Sequence, residues 1–294
     1  MSIPLFLRST KNNLVYLNEL KQYVQPYWLV PQDIGNRGFL AVPANTQRHC
    51  VVVPDQNGPF EGSYITADVP SGGLMNVRIN EPGANRDLMN RDILLQTIFT
   101  PVPGAQNPFV LPETLWLEAR QSLLLYFTDL SGLLNSVQPV IHGRKFNLRQ
   151  ARAGLADKFL AKRRLQRKVT TPYFYTTDQP VTLAVGAIAQ RANIQVDDAG
   201  HFVAYKITCW SQGPFEYRII DGTSGATLSG AVYIANTQGA GIAAFPYILP
   251  EPWFIPKNRI LTLEFNNLRV GLTNNIFLTI TGRRIYDDQY REIV

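Results

Sequence analysis

Cysteine, histidine and methionine are all scarce in this chain of 294 residues, which holds two Cys, three His and three Met. Two cysteines exclude the disulfide framework that staples small secreted folds. Cys50 and Cys209 therefore read as buried free thiols of a chain made in a reducing compartment. His49, His142 and His201 never fall at helical ligand spacing, and no Cys or carboxylate cluster completes a set, so no metal site is expected. Charged residues are 17% against 45% hydrophobic, which is too apolar for a disordered chain. No stretch approaches the roughly 18 uninterrupted apolar residues of a membrane span. The opening MSIPLFLRSTKNN is too short and too weakly apolar for a signal peptide. No membrane contact is expected.

Catalytic signatures are missing too. There is no Gly-x-Ser-x-Gly, no phosphate-binding loop and no Gly-x-Gly-x-x-Gly between a strand and a helix. Ser71-Gly-Gly and Gly239-Ala-Gly serve as turn punctuation. Glu113 and Glu251 recur at matching places in the two halves described below, which a catalytic pair does not need; a hydrogen bond or cap at a loop is the preferred reading. No enzymatic activity and no cofactor is expected.

Positive charge, by contrast, is concentrated. Arg144 to Lys168 holds ten Lys or Arg against Asp157, a formal +9, while the whole chain is +6. Leu148, Ala151, Leu155 and Phe159 recur at three and four, the period of a helix face, and Asn147 suits an N-cap. Beyond Lys162 the bases point in nearly all directions and no acid sits within the run to compensate them. Lys158, Lys162, Arg163, Arg164, Arg167 and Lys168 are thus candidate contacts for an acidic protein surface or for nonspecific nucleic-acid binding; a solvated helix face is the alternative.

The chain also repeats itself. Pro26-Tyr27-Trp28 answers Pro172-Tyr173-Phe174, and Leu40-Ala-Val with Gln47-Arg48 answers Leu183-Ala-Val with Gln190-Arg191. Met75-Asn-Val-Arg-Ile answers Phe215-Glu-Tyr-Arg-Ile, and Pro108 to Leu130 answers Pro246 to Leu268. Both copies run on into Gly143-Arg144-Lys145 and Gly282-Arg283-Arg284. Such a repeat has to be identified before a fold is assigned. Apolar residues inside each copy alternate with period two, and turn signals such as Asp55-Gln-Asn-Gly and Asp221-Gly-Thr-Ser-Gly separate the runs. With no helix between successive strands, this predicts antiparallel sandwiches rather than a parallel sheet.

The expected fold is mainly β: two tandem antiparallel β-sandwich or jelly-roll domains from an internal duplication, each preceded by a helix. The boundaries read as an N-terminal arm and helix at 1–25, a first sandwich at 26–146, a basic linker helix at 147–171, a second sandwich at 172–286 and a tail at 287–294. Leu111-Pro112-Glu113 and Leu249-Pro250-Glu251 are expected to open a wide connection, because proline cannot donate to a ladder. Trp28, Trp116, Trp210 and Trp253 could stack sugars. Phe174 matches Trp28 and Leu115 matches Trp253, however, an interchange that speaks for core or interface packing.

Leu111-Pro112, Phe127-Thr-Asp129-Leu130 and Gly143-Arg144-Lys145, with their repeats at Leu249-Pro250, Phe265-Asn-Asn267-Leu268 and Gly282-Arg283-Arg284, resemble jelly-roll-like virion structural proteins of tailed bacteriophages. That resemblance implies a non-enzymatic collar, neck or capsid-associated subunit. Such a subunit would be made in the host cytoplasm, reside in the virion, and assemble with itself as a homo-oligomer and with other virion proteins. The other reading is a carbohydrate-binding or adhesion protein of a phage or cell surface.

Overall fold

The computed structural model describes residues 23–32, 38–99, 108–147, 153–178 and 180–286. The expected N-terminal helix and C-terminal tail lie outside the described residues. Strands dominate, arranged in four antiparallel sheets. Alternation explains them: in β5 (Met75–Glu81) and β9 (Leu123–Asp129) every second residue is buried, as an antiparallel sheet with one covered face requires.

In the first sheet, β1 (Val24–Leu29), β10 (Asn135–Phe146), β4 (Phe60–Asp68) and β8 (Phe109–Leu117) lie in that order, with β2 (Leu40–Val42) also on β10. Opposite it run β3 (Gln47–Val52), β9, β5 and β6 (Arg86–Asp87), with β7 (Ile93–Leu94) on β5; the helical turn α1 (Leu95–Ile98) follows β7. Phe60, Phe109, Phe127 and Met75 are among the side chains enclosed between these two sheets.

The C-terminal sheets repeat this order. One contains β11 (Thr170–Thr176), β19 (Asn274–Ile285), β14 (His201–Ser211) and β17 (Tyr247–Ile255), with β12 (Val181–Leu183) on β19. The other contains β13 (Gln190–Gln195), β18 (Ile260–Asn267), β15 (Phe215–Asp221) and β16 (Ile234–Ala235). Tyr175, Phe202, Phe215 and Phe265 fill the space between them. A register shift falls at the same place in each pair, between Gly62 and Tyr64 of β4 and between Ala204 and Lys206 of β14. Gly143 and Gly282 lie beside these bulges. A Cβ there would collide with the carbonyl oxygen of Glu61 or Val203, so only glycine fits.

The Leu-Pro-Glu segments do not form the expected wide connection. Both lie inside strands, β8 and β17, each at the end of its sheet. Pairing of β8 with β4 skips from Val110 to Leu115, and that of β17 with β14 from Ile248 to Trp253. Pro112 and Pro250 therefore fall in the unpaired stretch opposite the bulge, where a missing N–H costs no ladder bond.

The two sandwiches share a tight seam. Phe174 of β11 is buried in the first core, 6.3 Å from the ring of Phe109. Its N–H donates to the Leu88 carbonyl and its carbonyl accepts from the Asn90 N–H. The Asn90 amide completes the contact by donating to the Thr176 carbonyl and accepting the Thr176 N–H, both at 2.9 Å. Lys206 Nζ donates to the Val110 carbonyl. The equivalence of Trp28 and Phe174 thus hides opposite surroundings, since Trp28 is 71% exposed on β1 and Phe174 is 1% exposed.

Candidate ligand cleft at the seam

The long helix α2 (Ala153–Val169) precedes the second sandwich but packs on the first. Ala156, Phe159 and Leu160 sit with Trp116 and Phe146, and the Phe146 and Phe159 ring centroids are 4.9 Å apart. Of the expected helix face, Phe159 packs as read, while Leu148 and Ala151 lie outside the described residues. The expectation of an uncompensated run is corrected here, because the first sandwich supplies the acids. Arg163 Nη2 is 2.7 Å from Glu61 Oε1, Arg164 Nε is 3.0 Å from Glu118 Oε1, and Arg167 pairs with Glu81. Glu61 and Glu81 are fully buried, and Arg144 and Arg86 complete their coordination. Three of the six expected partner-binding residues are therefore engaged by their own chain. Lys158, Lys162 and Lys168 remain exposed.

Gln166 Nε2 donates to Glu113 Oε1 at 2.8 Å, and Arg283 stands 4.0 Å from the other oxygen. Burial pushes the Glu113 carboxyl above its ordinary range, against the pull of Arg283 and Gln166. Its sequence counterpart Glu251 is exposed. The two glutamates thus occupy unlike environments and form no pair.

Arg86 links this seam to an open cleft of about 600 Å³. One wall is the segment 85–91, turned by Asn85 in the left-handed region with φ 48°. It carries Asp87, which Arg78 and Asn80 hold with bonds of 2.5 and 2.9 Å. Burial works against the Asp87 charge, but these bonds overcome it and lower its pKa. The other wall belongs to the second sandwich: Tyr173, Gln195, Asp197, Arg284 and Tyr286. The Arg284 guanidinium lies 3.5 Å over the Tyr173 ring, donates to Tyr175 Oη at 2.7 Å and pairs with Asp197. Burial opposes its charge, yet Tyr173, Tyr175 and Asp197 together raise its pKa. Burial also pushes the Tyr175 hydroxyl up to about 12. Arg284 Nε is buried and has no hydrogen-bond partner among the described residues, while the Tyr286 side chain lies against Arg86, whose guanidinium is 5.4 Å from its ring centroid.

Reasoning from sequence did not find this cleft. One signal was available in the repeat: Lys145 stands 5.2 Å over the Tyr27 ring and pairs with Asp55, a base, aromatic and acid arranged as Arg284, Tyr173 and Asp197 are. Sequence could not show that the 85–91 segment would close over only the second of these triplets.

No protein-family model and no curated protein sequence matches the chain. Solved structures do. PNGase F, a glycosylasparaginase from Flavobacterium meningosepticum, matches at 9% identity and TM-score 0.33, over 89% of this chain and 96% of that one. A second structure, of a peptide-N(4)-(N-acetyl-β-D-glucosaminyl) asparagine amidase, matches at 9% identity and TM-score 0.33 over 88% and 96%. Infectious bursal disease virus, Gt strain, matches at 6% identity and TM-score 0.23, over 92% of this chain and 42% of that one. These likenesses are of architecture and carry no residue role across. They correct two expectations. Where a virion structural subunit was expected, the matches begin with amidase structures and the viral one comes after them. Where a non-enzymatic chain was expected, those first matches are enzymes.

Proposed function

We propose that the seam cleft binds a carbohydrate. The observation that carries this reading is its lining. Planar hydrogen-bonding groups (Asn85, Asp87, Gln195, Asp197) surround the stacked Tyr173–Arg284 pair. Vicinal hydroxyls each donate and accept, so a carboxylate and a guanidinium side by side suit them. A concave site with a few convergent polar groups orients such a ligand.

The test is binding and turnover together. Wild type and the Asn85→Ala, Gln195→Ala and Asp197→Asn variants are screened against a glycan panel and titrated by calorimetry. Glycopeptides incubated with the protein are followed by mass spectrometry for release of the sugar. The reading expects a saturable glycan ligand whose affinity falls in all three variants. A flat panel, or affinity indifferent to these side chains, would mean that the cleft is not a sugar site.

We infer further that the sandwiches are two domains, 26–146 and 172–286, joined by the helix and derived from one ancestral unit. Matching strand orders, the bulge with its crowded glycine in each, and the repeated Tyr–base–Asp triplet support this reading.

A further inference from the structure

We propose that the loop tips of the second sandwich seat in the interfacial layer of an anionic lipid leaflet. Five aliphatic side chains project there: Val185 and Ile188 from the loop between β12 and β13, and Leu268, Val270 and Leu272 from the loop between β18 and β19. Val270 is 92% and Ile188 80% exposed, and the other three lie between 45% and 58%. This is not fraying. Asn267 locks the loops together: its N–H donates to the Ala187 carbonyl at 2.8 Å, and its amide to the carbonyls of Ala184 at 2.8 Å and Leu272 at 3.0 Å. The Ala189 N–H adds a 2.6 Å bond to Asn266 Oδ1. Aliphatic groups are thus held out toward water on a hydrogen-bonded frame, at a steady solvation cost that contact with an apolar phase removes.

Charge and area together choose the occupant. Segments 184–189, 211–214 and 268–273 contain no acid and one base, Arg269, whose Nη1 is fixed on the Thr273 carbonyl at 2.8 Å. An aliphatic cap beside a single cation complements an anionic headgroup layer. A second copy fits less well. The five side chains expose on the order of 500 Å², short of the roughly 800 Å² per partner of a standard interface. No helix among the described residues is long and apolar enough to cross a membrane, so contact through tips enters one leaflet only. The expectation of no membrane contact rested on the lack of a spanning segment, which such contact does not need.

Vesicle flotation tests this on the intact chain. Wild type, Val270→Asp and Arg269→Gln are mixed with phosphatidylcholine vesicles and with vesicles that also contain phosphatidylserine, and light scattering reports self-association of each protein. Wild type should float with the anionic vesicles. Val270→Asp, at a side chain that packs on nothing, should lose affinity by on the order of tenfold to a hundredfold. Arg269→Gln should weaken binding to the anionic vesicles and leave binding to neutral ones unchanged. No flotation, flotation indifferent to Val270→Asp, or equal binding to both vesicle types overturns the proposal. So does an oligomer that Val270→Asp dissolves, which would make a second copy the occupant. None of these outcomes depends on whether the seam cleft takes a sugar.

Discussion

Arg163 and Glu61 meet with nitrogen and oxygen 2.7 Å apart, and the Glu61 side chain is 1% exposed. Arg144 holds the other Glu61 oxygen at 2.5 Å. The densest positive charge in the sequence is therefore, in part, the internal counter-charge of carboxylates that the first sandwich could not otherwise bury.

Removing Arg163 alone should cost more than removing both charges of this pair. Arg163→Ala is expected to lower unfolding free energy by about 1–3 kcal/mol, the scale for losing one hydrogen bond to a buried charge that keeps Arg144 and the Thr114 hydroxyl. Adding Glu61→Gln should recover a large part of that loss. Urea titration of the two single variants and the double variant checks it, and additive losses would mean that the pair is not coupled.

Asp129 supplies the acid limb of stability. Its carboxylate accepts from the N–H groups of Asn45, Ser131 and Gly132, the Ser131 hydroxyl and the Asn135 amide. Burial opposes its charge, but these bonds hold its pKa down to about 2. A depressed carboxylate contributes stability above its unfolded pKa of 3.8 and loses it as pH falls toward 2. Asp129→Asn should cost about 1–2 kcal/mol at neutral pH and flatten the decline between pH 4 and pH 2. Thermal melts across that window decide it.

Lys206 carries the opposite sign. Its amine is buried, lies 4.9 Å over the Phe109 ring and has no carboxylate partner among the described residues. Burial depresses its pKa to about 8. Between that value and 10.5 the unfolded chain binds the additional proton, so this residue makes stability rise with pH across the interval. Lys206→Met should raise the melting temperature at pH 7 and remove that rise. A variant that melts lower at pH 7 would show that the bond to Val110 outweighs the burial of charge.

The crowded glycines should be intolerant in both halves. Gly143→Ala and Gly282→Ala drive a Cβ into a neighbouring carbonyl oxygen, so each is expected to destabilise by about 2 kcal/mol or more. Gly154→Ala, in open space on α2, should stabilise by up to about 1 kcal/mol. Calorimetric melts of the three variants separate steric need from mere glycine content.

The strands were legible because their physics is local. Period-two burial in β5 and β9, and the paired Gly-Arg-Lys and Gly-Arg-Arg strand ends, follow from neighbours in sequence. The fate of the basic helix was not legible. Glu61, Glu81 and Glu118 are remote from it in the chain, and nothing about them announces that they share a face with α2. The cleft was hidden for the same reason, since the 85–91 segment and Asp197 are joined only by the docking of one sandwich on the other. Leu111-Pro112-Glu113 misled because a proline that opens a loop and a proline opposite a bulge look alike in sequence.

Phe174 gives the seam a consequence for the order of events during synthesis. The first sandwich borrows this ring from a strand made well after its own last strand, so its core is incomplete while the ribosome is still building α2. The N-terminal half must wait, with the pocket beside Phe109 and Leu88 open, until β11 emerges. Because the Asn90 amide and the Phe174 backbone then close together, the two halves should melt as one cooperative unit. A chain cut after α2 should expose a sticky apolar hole rather than behave as an independent sandwich.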